Sequence, residues 1–204
     1  MKIASAEELG NVRGGGVVNR KTVSGVAILC ATILTTIAVA AEAQGPPPIP
    51  AAYPPADPND VGSLDGIVAA IYESISGAAG EERNWERWRS LFMVGAKLIF
   101  TGKPPNSSRA LARSWSVEEY IRRAGPVLVQ RGFFEREIGR ATELFGNIGH
   151  VFSTYESRNT REGEIIQRGI NSIQLFNDGE RWWIINIMWD SERPDSPIPE
   201  EYVN

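Results

Sequence analysis

The sequence predicts an α+β fold. Three observations carry that prediction: apolar residues recur at helical spacing in the first folded stretch, four long segments rich in β-branched and aromatic residues follow, and turn signals separate those segments. Helices first and antiparallel strands afterwards are the pattern of helices gathered on one face of an antiparallel sheet.

The first element precedes the folded part. Residues Thr22 to Ala41 carry no charge, follow Arg20 and Lys21, and lead into Ala41-Glu42-Ala43, which has the small-x-small form of a signal-peptidase site. Residues 1–43 therefore read as a secretory signal cut after Ala43. The alternative is an uncleaved single-span anchor, because the apolar stretch reaches the length of about 20 residues that crosses a bilayer. In either case the folded part is expected outside the cytoplasm, secreted or periplasmic, with Lys21 on the cytoplasmic side. The lone cysteine, Cys30, lies in this stretch and follows Leu29, where a lipid-attachment site needs a small residue. Cleavage would leave a protein without thiols, which suits an oxidising compartment. Residues 44–62 hold seven of the thirteen prolines and read as a semi-rigid stalk.

The folded unit is expected over 63–192. Leu64, Ile67, Val68, Ile71 and Ile75 predict a first helix that stops at Gly77-Ala78-Ala79-Gly80. Trp85, Trp88, Leu91 and Phe92 predict a second, short one. A tryptophan stripe at this spacing reads as core before it reads as a cofactor box. Ala96–Thr101 reads as a strand and residues 102–106 as a turn. Ser116 and Glu119 form a capping box opening a third helix, expected to break near Gly125-Pro126. Strands follow at Phe134–Phe145, Ile148–Ser157, Ile165–Phe176 and Arg181–Trp189. The last two are joined by an Asp178-Gly179 turn of hairpin type. In the final strand alternation puts Trp182, Ile184 and Met188 on one face and Trp183, Ile185, Ile187 and Trp189 on the other. Two apolar faces predict a cover on each, either the tail at 193–204, with its prolines and Tyr202, or a second subunit in a homodimer.

Within this order of elements stand Phe145-Gly146-Asn147-Ile148, Ser153-Thr154-Tyr155-Glu156, and Phe176-Asn177-Asp178-Gly179 leading into Arg181-Trp182-Trp183-Ile184 and closing at Trp189. Together they resemble the nuclear transport factor 2-like superfamily, in its SnoaL-like and ketosteroid-isomerase-like branch. The likeness spans Leu64 to Glu192. The resemblance implies a cone-shaped fold, with N-terminal helices packed in a strongly curved antiparallel sheet and a pocket at the open end. Isomerases of this kind use a carboxylate base, a tyrosine and a second, protonated acid. On the resemblance Tyr72 takes the tyrosine position, the base position falls at Phe100, and the second acid falls at Ser172, or at Asn171 with a one-residue shift. Two of three catalytic groups are thus expected to be missing. The hydrolases of the fold need an Asp-Arg-Asp set that has no match here, although Arg140, Arg168 and Glu156 leave a rearranged version open.

Composition narrows the chemistry further. With 21 Lys+Arg against 25 Asp+Glu, a net charge of −4, one cysteine and one histidine, the chain holds too few ligands for a zinc or iron–sulfur site and no disulfide framework. Its acidic balance argues against neutralising nucleic-acid phosphates. No cofactor or metal is expected. His150 is the only imidazole available as a base near neutral pH, and alternation places it with Phe152, Thr154 and Glu156. Its alternative is a plain hydrogen bond to a neighbouring strand. The leading expectation is a binding module whose pocket holds a small apolar or aromatic molecule among Tyr72, Trp88, Phe100, His150, Asn171 and Ser172. The competing ones are an isomerase, cyclase or hydrolase with His150 as base and Tyr72 or Arg168 as electrophilic partner, and an envelope scaffold that binds through its Trp-rich sheet.

Overall fold

The computed structural model describes residues 54–104 and 107–203, so the expected signal or anchor and the first half of the stalk, residues 44–53, lie outside the described residues. The elements are helices α1 (Pro58–Val61), α2 (Leu64–Ile75) and α3 (Trp85–Ser90), strands β1 (Phe92–Gly102) and β2 (Leu111–Ser116), helix α4 (Val117–Arg131), strands β3 (Phe134–Phe145), β4 (Ile148–Arg158), β5 (Ile165–Asn177) and β6 (Trp182–Ser191), and a 3-10 turn at Glu200–Tyr202. Among the described residues no helix is long and apolar enough to cross a membrane.

One sheet of six strands holds the molecule, in the order β2-β1-β6-β5-β4-β3. It is antiparallel except where β1 runs parallel to β6, a mixed sheet where a purely antiparallel one was expected. Helix α2 touches both β3 and β6, strands that lie three places apart in that order, so the sheet must bend around it. Irregularities in pairing supply the bend. Register shifts fall between Glu137 and Gly139, between Gln174 and Leu175, and between Phe92 and Lys97, and each such bulge kinks and twists its strand. The core fills the concave side with Ile67, Val68 and Ile71 from α2, Trp88 from α3, Leu98 from β1, and Val151, Ile173, Leu175 and Ile184 from the later strands.

Several sequence expectations need correction. Pro58–Val61, read as stalk, form α1, and Asp60 there accepts two 2.8 Å bonds from Arg87. The second helix ends at Ser90, and Phe92 already starts β1. Strand β2 was not foreseen. It is an edge strand with four of its six residues exposed, and so lacks an apolar alternation to announce it. Helix α4 begins with the expected capping box but runs through Pro126 instead of breaking. An internal proline costs about 3 kcal/mol. Tertiary contacts offset it: Val129 O accepts from Gly80 N at 2.7 Å, Leu128 O accepts from Arg83 Nη2 at 2.9 Å, and Gly125 lies so close to Trp85 that a Cβ would stand 3.0 Å from the indole.

The two-sided pattern of β6 is also corrected. Leu175 pairs with Ile184 but Gln174 pairs with Asn186, so Ile185 is an extra residue. That bulge resets the alternation. Trp182 and Ile184 face the core together with Ile187 and Trp189, while Trp183 and Met188 face outward. One face of β6 is therefore the core face. The tail does cross the outer side of the sheet, where Tyr202 meets Phe152 with ring centroids 5.0 Å apart.

The corner after α2 is closed by one buried side chain. Arg83, 5% exposed, donates to the carbonyls of Ile75 (2.8 Å), Gly77 (2.8 Å), Ala78 (3.4 Å), Leu128 (2.9 Å) and Glu81. Gly77 is required there, because a Cβ would lie 2.5 Å from Arg83 Nη1. Each buried acceptor left without a donor costs about 1–3 kcal/mol. Arg83→Met, which keeps the apolar stem, is expected to lower stability by about 3 kcal/mol or more in urea unfolding. A loss below about 1 kcal/mol would show that the carbonyls find other donors.

Candidate functional site

Between the helices and the sheet lies an inner cavity of about 120 Å³. Trp88 from α3, Tyr120 from α4, Tyr155 from β4, Asn171 from β5 and Trp189 from β6 line it, with Ile71, Ile75, Leu98, Phe133, Gln167 and Ile187 completing the wall. Beside it a broad groove of about 970 Å³ runs between α2 and strands β3 and β4. Glu135 belongs to both, and so stands at the junction of groove and cavity. The residue is half-buried, with the open groove on one side and the cavity on the other.

Local structure fixes where that carboxyl sits. Ser76, just past the end of α2, donates to Tyr72 O (2.7 Å) and accepts from Glu135 N at 3.0 Å, tying the start of β3 to the helix. In the register Glu135 faces Ser157 and Glu137 faces Tyr155, so both glutamates follow the inward side of β4. The wall contains no lysine, arginine or histidine. Burial without a counter-charge pushes the Glu135 carboxyl up to about 8, against a smaller opposing pull from the hydrogen bond of Asn171. Burial, and then the nearby Glu135 charge, also raises the hydroxyls of Tyr72, Tyr120 and Tyr155 above the ordinary tyrosine value. Tyr155 reaches its place because it lies over Gly169, where a Cβ would stand 2.5 Å from the hydroxyl.

A directed chain of hydrogen bonds leads out of this cavity. Arg140 donates to both oxygens of Glu137 (2.9 and 2.6 Å) and to Asp65 (2.6 Å). Ser153 donates to Glu137 at 2.5 Å, which leaves its oxygen to accept the proton of Tyr72, also at 2.5 Å. Asn171 Nδ2, as the network orients the amide, then donates to the Tyr72 oxygen at 3.2 Å. The only proton of Tyr72 is thus committed away from the cavity. Tyr72 is an acceptor toward Asn171, and on the cavity wall the Tyr120 hydroxyl, which makes no hydrogen bond among the described residues, is the phenol free to donate.

The structure brings together three of the residues singled out from sequence, Tyr72, Trp88 and Asn171. It separates the others from them. Phe100 shares the face of Leu98 but lies at the rim, 37% exposed, with its ring 6.0 Å from Trp189. Ser172 points to the opposite side of the sheet and lines the space under the tail. His150 is on that outer side too, where Nε2 meets Ser172 at 3.0 Å and Nδ1 lies 3.5 Å from Glu143. It does not pair with Glu156, which is held by Arg136 and Arg158 at 2.8 Å each. Arg168 is engaged with Glu192 at 3.4 Å. His150 and Arg168 therefore do not converge with Tyr72, so the arrangement with His150 as base is corrected. The carboxyl comes from β3 instead of from the Phe100 position. Glu135 was not singled out from sequence, because nothing local in Phe134-Glu135-Arg136 says which face of β3 turns inward; the pairing with β4 decides it.

Glu135 makes stability depend on pH with a definite sign. Below about pH 4.5, its ordinary value, folded and unfolded chains both carry the proton and its contribution is fully present. Above that the unfolded chain releases the proton first, so stability falls as pH rises through about 8, by up to about 1.4 kcal/mol per pH unit. Urea unfolding between pH 5 and 9 is expected to show this decline in the wild type and a flat profile for Glu135→Gln. Parallel profiles would remove the buried charge from the account.

No protein-family model matches the chain, and no curated protein does. Solved structures similar in outline include a protein of unknown function with a cystatin-like fold from Nostoc punctiforme, 11% identical, with a TM-score of 0.49 over 64% of this chain and 90% of the other. A protein of unknown function from Mycobacterium tuberculosis is 12% identical, with a TM-score of 0.48 over 67% and 75% of the two chains. A nuclear transport factor 2-like protein of unknown function from Silicibacter pomeroyi is 12% identical, with a TM-score of 0.43 over 64% and 94%. The element order, the sheet wrapped around α2 and the cavity between helices and sheet agree with the cone-shaped α+β architecture that the resemblance to the nuclear transport factor 2-like superfamily implies.

Proposed function

We propose that this is an exported small-molecule-binding protein whose ligand occupies the inner cavity and is oriented by Glu135, Asn171 and Tyr120. One observation carries the reading: a single carboxyl without a counter-charge in a cavity otherwise lined by aromatic and aliphatic side chains and two amides. A few convergent polar groups in an apolar hollow are the usual binding arrangement. At about 120 Å³ the cavity is in the size class of hollows that hold a benzene-sized molecule.

A second reading, proton transfer, is favoured by a specific feature. A carboxyl near pH 8 facing a free phenol is matched to taking a proton from a carbon acid and donating to the oxygen that gains charge. One set of variants tests both. In a thermal-shift panel of small cyclic ketones and alcohols, ligand-dependent shifts are expected for the wild type and not for Ile187→Phe, which fills the cavity; equal shifts in both would sink the binding reading. Deuterium exchange into cyclopentanone, followed by NMR, is expected to fall at least about 100-fold in Glu135→Gln. Exchange unchanged by that substitution removes the catalytic reading alone.

Export rests on the uncharged Thr22–Ala41 stretch and the Ala41-Glu42-Ala43 site. N-terminal sequencing of the protein from its host is expected to begin at Gln44. A start at Met1 in a soluble cytoplasmic fraction would overturn the proposal.

A further inference from the structure

We propose that the cavity takes a small organic cation, a methylated or quaternary ammonium group held by the rings of Trp88, Tyr120, Tyr155 and Trp189 against the carboxylate of Glu135. This rests on the reading of the cavity as a small-molecule site and names the class of its ligand.

Three of these rings are in contact with one another, and Tyr155 lines the same cavity. Trp88 stacks on Tyr120 with centroids 5.3 Å apart and planes at 26°, and Tyr120 meets Trp189 edge-on at 6.3 Å. Aromatic faces carry negative charge density and attract a cation, most strongly where water is excluded. Trp88, Tyr120 and Tyr155 are each 9% exposed or less, so the wall is dry apart from what enters the cavity.

The carboxyl facing this wall has no cation of the chain's own. The groups around it are the hydroxyls of Tyr72 (α2), Tyr120 (α4) and Tyr155 (β4) and the amides of Asn171 and Gln167 (β5), while α3, β1 and β6 contribute Trp88, Leu98, Ile187 and Trp189. The guanidiniums of the adjoining groove are engaged elsewhere. Arg140 is bound to Glu137 and Asp65, Arg136 and Arg158 hold Glu156, and Arg161 lies over the Phe134 ring. Arg83, behind α2, is spent on carbonyls. A buried carboxylate is costly without a partner, and a ligand that carries positive charge supplies one.

The approach has the matching sign. Six carboxylates line the groove against four guanidiniums, and Glu135 is the one that also borders the cavity. An anionic ligand would meet repulsion along that path and at its end. A neutral ligand would leave the carboxyl to be neutralised by a proton and would gain nothing from its charge. The two remaining classes differ in their response to pH. A cation needs Glu135 ionised, so its affinity rises by up to about tenfold per pH unit and levels off above about 8. A neutral ligand shows no such rise.

The test compares choline with its uncharged isostere 3,3-dimethylbutan-1-ol, by calorimetry on the full chain at pH 6.5 and pH 9. In the wild type choline is expected to bind at least tenfold more tightly than the isostere at pH 9, to weaken at least tenfold at pH 6.5, and to release a proton on binding at the lower pH. Glu135→Gln is expected to bind the two probes alike, and Tyr155→Leu to weaken choline more than the isostere. Equal or tighter binding of the isostere by the wild type overturns the cation class while the cavity reading stands. Binding of neither probe, with ketones and alcohols still shifting the wild type and not Ile187→Phe, has the same meaning. Silence from every probe overturns both.

Discussion

The corner after α2 is the constraint on which the rest of this molecule depends. A helix end leaves carbonyls without partners, and the glycine-rich turn that follows adds more. Arg83 collects them, together with one from α4, into a single planar set of donors. With the end of α2 fixed, Ser76 can hold the backbone of Glu135, and the position of Glu135 sets the start of β3. The cavity is built outward from that point. Its one carboxyl is held where the corner puts it.

The polar groups around the cavity illustrate how direction matters as much as contact. Tyr72 is close to everything a catalytic tyrosine would need, yet Ser153 donates to Glu137 and so takes the proton that Tyr72 has to give. Distance alone would name Tyr72 as the donor to a ligand. The accounting of protons names Tyr120. The same accounting makes Glu135 informative, because every guanidinium near it is already engaged and its charge is left without a partner.

Much of the fold was legible because local physics spoke for it. The periodicity of Leu64–Ile75, the capping box of Ser116 and Glu119, the Asp178-Gly179 turn and the long β-branched strands each encode their own structure within a few residues. The break expected at Pro126 does not occur, because contacts from Gly80, Arg83 and Trp85 overrule the local preference of proline. The alternation of β6 was read correctly as a pattern and misassigned as to faces, because one bulged residue, Ile185, shifts every residue on one side of it.

Taken by itself, the sequence determined the α+β class, the order of the main helices and strands, the hairpin turn at Asp178-Gly179 and the presence of Tyr72, Trp88 and Asn171 among the residues worth watching. Those properties follow from periodicity and from residue type, which are local. Only the tertiary structure decided that Glu135 faces inward, that His150, Ser172 and Arg168 do not share its cavity, and that the proton of Tyr72 points away. Each of these depends on strand pairing and bulge position. A shift of one residue turns a side chain from the core to the solvent, and no local preference in the chain records which side was chosen.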